Sequence, residues 1–237
     1  MSIKNFIIRA SFGVALATTV ATAAAAATLS VVNNGSGTAT TLPVGTGGTT
    51  GFDLSSIYGS ASPNVGDPVT AFSAATGGTV NGGLYIDGSS NLTYTFLGKE
   101  AGAKNAVFGQ GGATVANNQA IGSSFTVGQS GAGFIDFFFQ TLEGAWEDIN
   151  SNWITGEALN VANNGLSSFS NLSIAFGQVF NNGRSILVFF GDGRGDVDFD
   201  DMVIRIDAVP LPASALLLFG AVGGLGALRL RKKKATA

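Results

Sequence analysis

The sequence predicts an all-β protein: an antiparallel β-sandwich or jelly-roll-like body, with an N-terminal signal helix and a C-terminal transmembrane helix. Three observations carry this expectation. Short runs rich in Phe, Val and Ile alternate with Gly, Asn, Ser and Thr clusters, and the chain holds 35 glycines and 18 phenylalanines. That composition suits strands joined by tight turns. Asn-Gly and Asp-Gly pairs recur between the apolar runs, and long uncharged apolar stretches stand at the two ends. No repeat of fixed period runs through the chain.

The first segment, residues 1–27, reads as a signal peptide. Lys4 and Arg9 form a short positive region, residues 10–21 carry no charge, and alanines 23–27 offer several small-x-small cleavage sites. Cleavage after Ala25, Ala26 or Ala27 places the mature N-terminus near Thr28.

Residues 28–208 form the body. Strands are expected over 27–33, 84–87, 92–97, 106–108, 124–127, 133–140, 170–180, 185–190 and 202–208, from their apolar or alternating runs. Asn34-Gly35, Asn81-Gly82, Asp87-Gly88 and Asn182-Gly183 mark turns. Asp87-Gly88-Ser89-Ser90 and Asn181-Asn182-Gly183-Arg184 are each expected to close a hairpin between flanking strands. Residues 35–83, rich in Gly and Thr, are expected to be long loops laid over the sheet. A short helix is expected near residues 142–153, where Trp146 and Trp153 pack a segment that also holds Glu143, Glu147 and Asp148. The alternative use of these tryptophans beside carboxylates is a sugar platform.

Composition excludes much. The chain has no Cys and no His. There is therefore no disulfide framework, no Ser-His-Asp triad, and none of the usual zinc ligands or the commonest general base. The body holds five basic residues against all fifteen acidic ones, a formal charge of −10. Such a body is not expected to bind nucleic acid, which selects a basic face. An enzyme here would have to work with carboxylates. A glycoside hydrolase using Glu143 with Glu147 or Asp148 is the alternative of that class.

The acidic stretch Phe189–Ile206, "FFGDGRGDVDFDDMVIRI", reads as strand, Gly-rich loop, strand. If residues 196–200 are extended, Asp196, Asp198 and Asp200 share one face while Val197 and Phe199 take the other. Asp201 then points away from the three. Neighbouring carboxylates on one face repel, and calcium, which accepts several carboxylate oxygens in flexible geometry, would cancel the repulsion. The candidate set is Asp192, Asp196, Asp198 and Asp200, with Asp201 or a loop carbonyl as a further, least secure ligand. A solvated acidic hairpin, with Arg184, Arg194 or Arg205 neutralising part of the charge, is the other reading. The spacing is not that of an EF-hand. Residues 196–201 resemble a D-x-D-[FY]-[ND]-D segment near the end of other exported bacterial β-domains, which implies a structural or calcium-binding hairpin.

The last segment, residues 209–237, has three parts in order. Val209-Pro210-Leu211-Pro212-Ala213 comes first, residues 213–228 hold no charge, and the basic cluster Arg229, Arg231, Lys232, Lys233 and Lys234 follows. Sixteen helical residues span about 24 Å, short of a ~30 Å hydrocarbon core. Arg229 can snorkel to lengthen the span, and the basic cluster stays on the cytoplasmic side. The arrangement resembles the VPLPA variant of the PEP-CTERM sorting signal. That resemblance implies recognition and processing by an exosortase, a membrane protease-transpeptidase. The alternative is a permanent single-span anchor, whose Gly220 and Gly224 would form a G-x-x-x-G pair. The functional expectation is a non-enzymatic cell-envelope or extracellular-matrix protein. It is held at the inner membrane before processing and then lies at the cell surface or outside. Extracellular polysaccharide is its alternative partner, as for a carbohydrate-binding module.

Overall fold

The computed structural model describes residues 27–42, 67–99, 103–142, 158–192 and 199–210. They build fourteen strands, all paired antiparallel, and among them the only helical turn is a short 3-10 segment at Gln110–Gly112. The strands are β1 Leu29–Asn33, β2 Gly37–Thr41, β3 Pro68–Phe72, β4 Gly82–Ile86, β5 Ser90–Gly98, β6 Asn105–Gly109 and β7 Thr114–Ala116. They continue with β8 Ser124–Gln129, β9 Gly133–Phe134, β10 Phe137–Leu142, β11 Ala158–Ala162, β12 Ser173–Phe176, β13 Ser185–Gly191 and β14 Met202–Val209. They belong to a compact unit, Ala26–Pro212.

A seven-stranded sheet runs β2-β3-β12-β13-β14-β5-β8; a four-stranded sheet runs β11-β10-β6-β7, and a three-stranded one β1-β4-β9. All three contribute to one apolar core, including Leu84 and Ile86, Val107, Phe137 and Phe139, and Tyr94, Phe176, Phe190 and Ile204. The fold is thus all-β and sandwich-like. Phe139 of β10 stacks on Phe190 of β13, centroids 4.8 Å apart and rings nearly parallel, so the four- and seven-stranded sheets meet face to face.

The burial of each strand explains its sequence. In β5, Leu92, Tyr94 and Phe96 are buried while Asn91, Thr93 and Thr95 are only partly covered, the alternation of a strand with one face on the core. Strand β13 is buried throughout. Ile186, Val188 and Phe190 enter the main core, while Leu187 and Phe189 join a second cluster with Val69, Leu97, Ala175, Phe199 and Val203 on the opposite face. A central strand covered on both sides reads as a continuous apolar run, which is why "SILVFF" does not alternate.

The expected strands 84–87, 92–97, 106–108, 124–127, 185–190 and 202–208 each overlap an observed one, and residues 133–140 divide into β9 and β10. Residues 35–83 depart from the expectation of loops alone: they contribute β2 and β3, which pair with each other at an edge of the large sheet. Their composition hides them: β2, the edge strand, is largely exposed and needs few apolar residues, and β3 buries only Val69 and Phe72. The turn at Asn181–Arg184 does join paired strands: β12 lies beside β13, with Asn181, Asn182 and Gly183 all at positive φ. The turn at Asp87–Ser90 does not. Strands β4 and β5 lie in different sheets, so this turn carries the chain from one layer to the other. The turn chemistry was right and the pairing wrong, because pairing is decided by where each strand buries its apolar face. At that crossing Thr28 donates both its N–H and its hydroxyl to Asp87, each at 2.6 Å. The hydroxyl first, then the backbone N–H, holds the exposed Asp87 carboxyl below the usual carboxylate value.

The expected helix at residues 142–153 falls on 143–157, outside the described residues apart from Leu142, which ends β10. The signal segment up to residue 26 and the tail from 211 onward also lie outside them. Among the described residues no helix is long and apolar enough to cross a membrane.

Candidate functional site

Among the described residues, several buried polar side chains gather at one end of the main core, where β6, β10 and the β13–β14 hairpin come together. Their position follows from strand register. Val107 of β6 opposes Phe139 of β10, and one step further along that face Asn105 opposes Thr141. Phe190 of β13 stacks on Phe139, and two residues beyond Phe190 comes Asp192, buried like it. Side chains two apart in a strand share a face. The aromatic layer is therefore followed by a polar one.

Asn105 is wholly buried and is held by both ends of the acidic hairpin. Its Nδ2 donates to Asp192 Oδ2 at 3.3 Å and to the Asp201 carbonyl at 3.4 Å. The backbone N–H of Asp192 donates to Asp201 Oδ2 at 2.6 Å. Asp192 and Asp201 are both buried, and so is Lys104, next to Asn105 in the chain. Asn105 Oδ1 and Thr141 Oγ1 are buried and lack any hydrogen-bond partner; Tyr94 Oη is the third such side-chain atom among the described residues.

Of the four sequence-predicted ligands, the structure describes Asp192 and Asp200; Asp196 and Asp198 lie outside the described residues. Asp200 is half-buried. Asp201, expected to point away, turns inward and joins Asp192. The regular strand begins only at Met202, so strict alternation does not reach back to Asp201. Phe199 is buried in the second apolar cluster, as its spacing suggested. Among the described residues no three acidic side chains converge closely enough to hold a metal ion between themselves alone. Arg205, one of the basic residues considered as a neutraliser of the hairpin, donates from Nε to Asp207 Oδ2 at 2.6 Å. Arg184 donates to the Asn181 carbonyl at 3.4 Å.

Sequence reasoning missed Asn105 and Thr141. Both sit at ends of predicted apolar runs, where a polar residue normally signals the return to solvent. Only the facing sheet reveals that they are buried.

The other expected sites fall mainly outside the described residues. Glu143, Glu147, Asp148, Trp146 and Trp153 do so entirely, as do Leu211, Pro212, Ala213 and the basic cluster Arg229–Lys234. Val209 and Pro210 are described. Val209 is the last residue of β14, 44% exposed, and its carbonyl accepts a hydrogen bond from Ser90 Oγ at 2.9 Å. Pro210 is exposed too. In comparisons with known proteins, no protein-family model, no curated protein and no solved structure matches this chain.

Proposed function

We propose that the chain is an exported, non-enzymatic protein of the cell envelope or extracellular matrix, sent out by its N-terminal signal and processed at its C-terminal sorting segment. The observation that carries the reading is the order of the tail: Val209-Pro210-Leu211-Pro212-Ala213, the uncharged stretch 213–228, then Arg229–Lys234. The VPLPA-type PEP-CTERM resemblance assigns the processing to an exosortase-type enzyme at the inner membrane.

The fold supports this reading at both junctions. The last strand ends at Val209. Val209 and Pro210, the part of the motif among the described residues, are exposed at the end of that strand, which suits access by a membrane protease. At the other end Ala27 is buried in the main core, and Thr28 is bound to Asp87. Cleavage after Ala25 or Ala26 keeps Ala27 in the core; cleavage after Ala27 would empty its place. The body is of jelly-roll-like type in this reading, because consecutive segments pass repeatedly between the large sheet and the two small ones.

The test is the mass of the mature protein from cells with and without an exosortase. The expected mass corresponds to a chain starting at Ala26 or Ala27 and lacking the tail, with the longer form retained in membranes when the exosortase is absent. A mature protein that keeps residues 209–237 in soluble form in both strains would overturn the reading. A polysaccharide-binding screen of the same material separates a structural role from a carbohydrate-binding one.

A further inference from the structure

Both ends of the body are fastened at one place. Thr28 binds Asp87 through its N–H and its hydroxyl, and the Thr28 carbonyl accepts the Asp87 N–H at 3.1 Å. At the other end of the same turn, the buried Ser90 donates from Oγ to the Val209 carbonyl at 2.9 Å. The Asn181–Arg184 turn repeats the arrangement. The Leu29 N–H donates to the Gly183 carbonyl at 2.6 Å, and the Ala208 N–H donates to the Arg184 carbonyl at 2.7 Å. Those carbonyls belong to successive residues, so the start of β1 and the end of β14 are neighbours. Gly183 makes room for this: it lies at φ of +82°, and a Cβ on it would crowd Thr28 at 3.1 Å.

Strand direction fixes which end of the large sheet this is. Strand β5 begins at Ser90, β13 begins at Ser185 and β14 ends at Val209, so the two turns cap one end. Gly98, Gly191 and Met202 stand at the opposite end, with Gly122, whose N–H bonds the Phe96 carbonyl. The nine residues of β5 hold the two ends about 30 Å apart. The uncharged stretch 213–228 begins four residues after Val209. That is a reach of at most about 14 Å, and Pro210 and Pro212 stiffen it. A membrane span there brings this end, and not the other, to the bilayer surface. The signal segment joins the body at the same end, so its removal calls for no reorientation. Charge agrees. The two turns carry one acid, Asp87, and one base, Arg184, among glycines and uncharged polar residues. Asp192, Asp196, Asp198, Asp200 and Asp201 instead belong to the connection between the far ends of β13 and β14. Anionic headgroups repel acidic residues within a Debye length of about 8–10 Å and accept a neutral end.

We propose that the end of the body formed by the Asp87–Ser90 and Asn181–Arg184 turns is its membrane-facing surface, which rests against lipid headgroups until the tail is processed. This deepens the proposed function and rests on it, since the tail must serve as the membrane segment.

The test uses the tail-bearing form from cells without an exosortase, reconstituted into vesicles of phosphatidylethanolamine and phosphatidylglycerol. The chain has no Cys, so Ser130→Cys and Ile121→Cys each take a single fluorophore, and both positions are exposed. Ser130 lies beside the first turn, between Gln129, which pairs with Ser90, and Gly131, whose N–H bonds Ser89 Oγ. Ile121 precedes Gly122 at the opposite end. Quenching by nitroxide-labelled headgroups should be several-fold stronger at position 130 than at 121. A Gly/Ser insert of eight residues after Pro210 adds about 16 Å of flexible chain and should at least halve that contrast. The proposal is overturned, and the sorting reading stands, if the chain floats with the vesicles but both labels are quenched alike or position 121 is quenched more. It is also overturned if the insert leaves the contrast unchanged, because the label's own affinity for lipid then explains it. A chain that does not float with the vesicles has no membrane segment, which overturns the sorting reading and this proposal together.

Discussion

The side chain of Asn163 pairs with the backbone of Leu84 as a neighbouring strand would: its Oδ1 accepts the Leu84 N–H at 2.7 Å, and its Nδ2 donates to the Leu84 carbonyl at 2.9 Å. The same Nδ2 also donates to the Ile135 carbonyl at 2.7 Å. Asn163 follows the end of β11 in the four-stranded sheet, and Leu84 is in β4 of the three-stranded one. This buried amide therefore links the two small sheets. Replacing Asn163 by Ala strands the Leu84 N–H and the Ile135 carbonyl in the interior. The expected loss is about 2–4 kcal/mol of unfolding free energy, measured by urea denaturation. Asn163→Asp should be no milder, since it gives up the donor and buries a charge.

Gly83 guards that joint. It adopts φ of +135°, and a Cβ placed there would collide with Asn163 Oδ1. Gly83→Ala should therefore cost more than about 2 kcal/mol, from backbone strain and the displaced amide together. Gly131 also has positive φ but open space around it, so Gly131→Ala is the control, expected to cost less in the same thermal melt.

Tyr94 lies in the main core, stacked on Phe125 with centroids 4.6 Å apart and edge-on to Phe137 at 5.9 Å. Its hydroxyl is buried without a partner. Tyr94→Phe keeps the ring contacts and deletes the stranded oxygen, so the variant should be as stable as wild type or more stable by up to about 1–2 kcal/mol. A lower urea midpoint for the variant would mean that the hydroxyl has a partner in solution.

The same residue sets an alkaline limit. Burial, with Asp136 adding to it, pushes the Tyr94 phenol far above its ordinary value. The folded state keeps the proton while an unfolded tyrosine releases it near pH 10. The unfolded chain then binds fewer protons, so stability is fully present below about pH 10. Above that pH it falls by up to about 1.4 kcal/mol per pH unit. Denaturation curves between pH 8 and 11 should show this decline in wild type, and Tyr94→Phe should flatten it.

Phe139 and Phe190 tie the four-stranded to the seven-stranded sheet, and each is also packed by other core residues. Either one replaced by Ala should lose about 3–5 kcal/mol. The double variant should lose less than the sum, with a coupling of about 0.5–1.5 kcal/mol in a double-mutant cycle. Strict additivity would show that the stacked pair adds nothing beyond area burial.

The amino-acid sequence by itself determined the class of fold and the centres of most strands. Runs such as "SILVFF" at Ser185–Phe190 and the alternation Leu92, Tyr94, Phe96 record a strand's burial locally. It also determined the turn at Asn181-Asn182-Gly183, because positive φ selects Asn and Gly whatever lies around them. Tertiary structure alone decided which strands became neighbours. Asp87–Ser90 has hairpin chemistry and yet changes sheets, and β2 and β3 owe their pairing to an edge that the sequence of neither announces. It also decided which polar residues are interior. Asn163, Asn105, Thr141 and Asp201 look like turn or strand-end residues in one dimension. Their burial depends on partners 9 to 96 positions away, such as Asp192 for Asp201 and Asp201 for Asn105. Local pattern reports the face a strand presents to its own neighbours in sequence. The cost of an unanswered oxygen is set by atoms that arrive from another sheet, and only the folded chain brings them there.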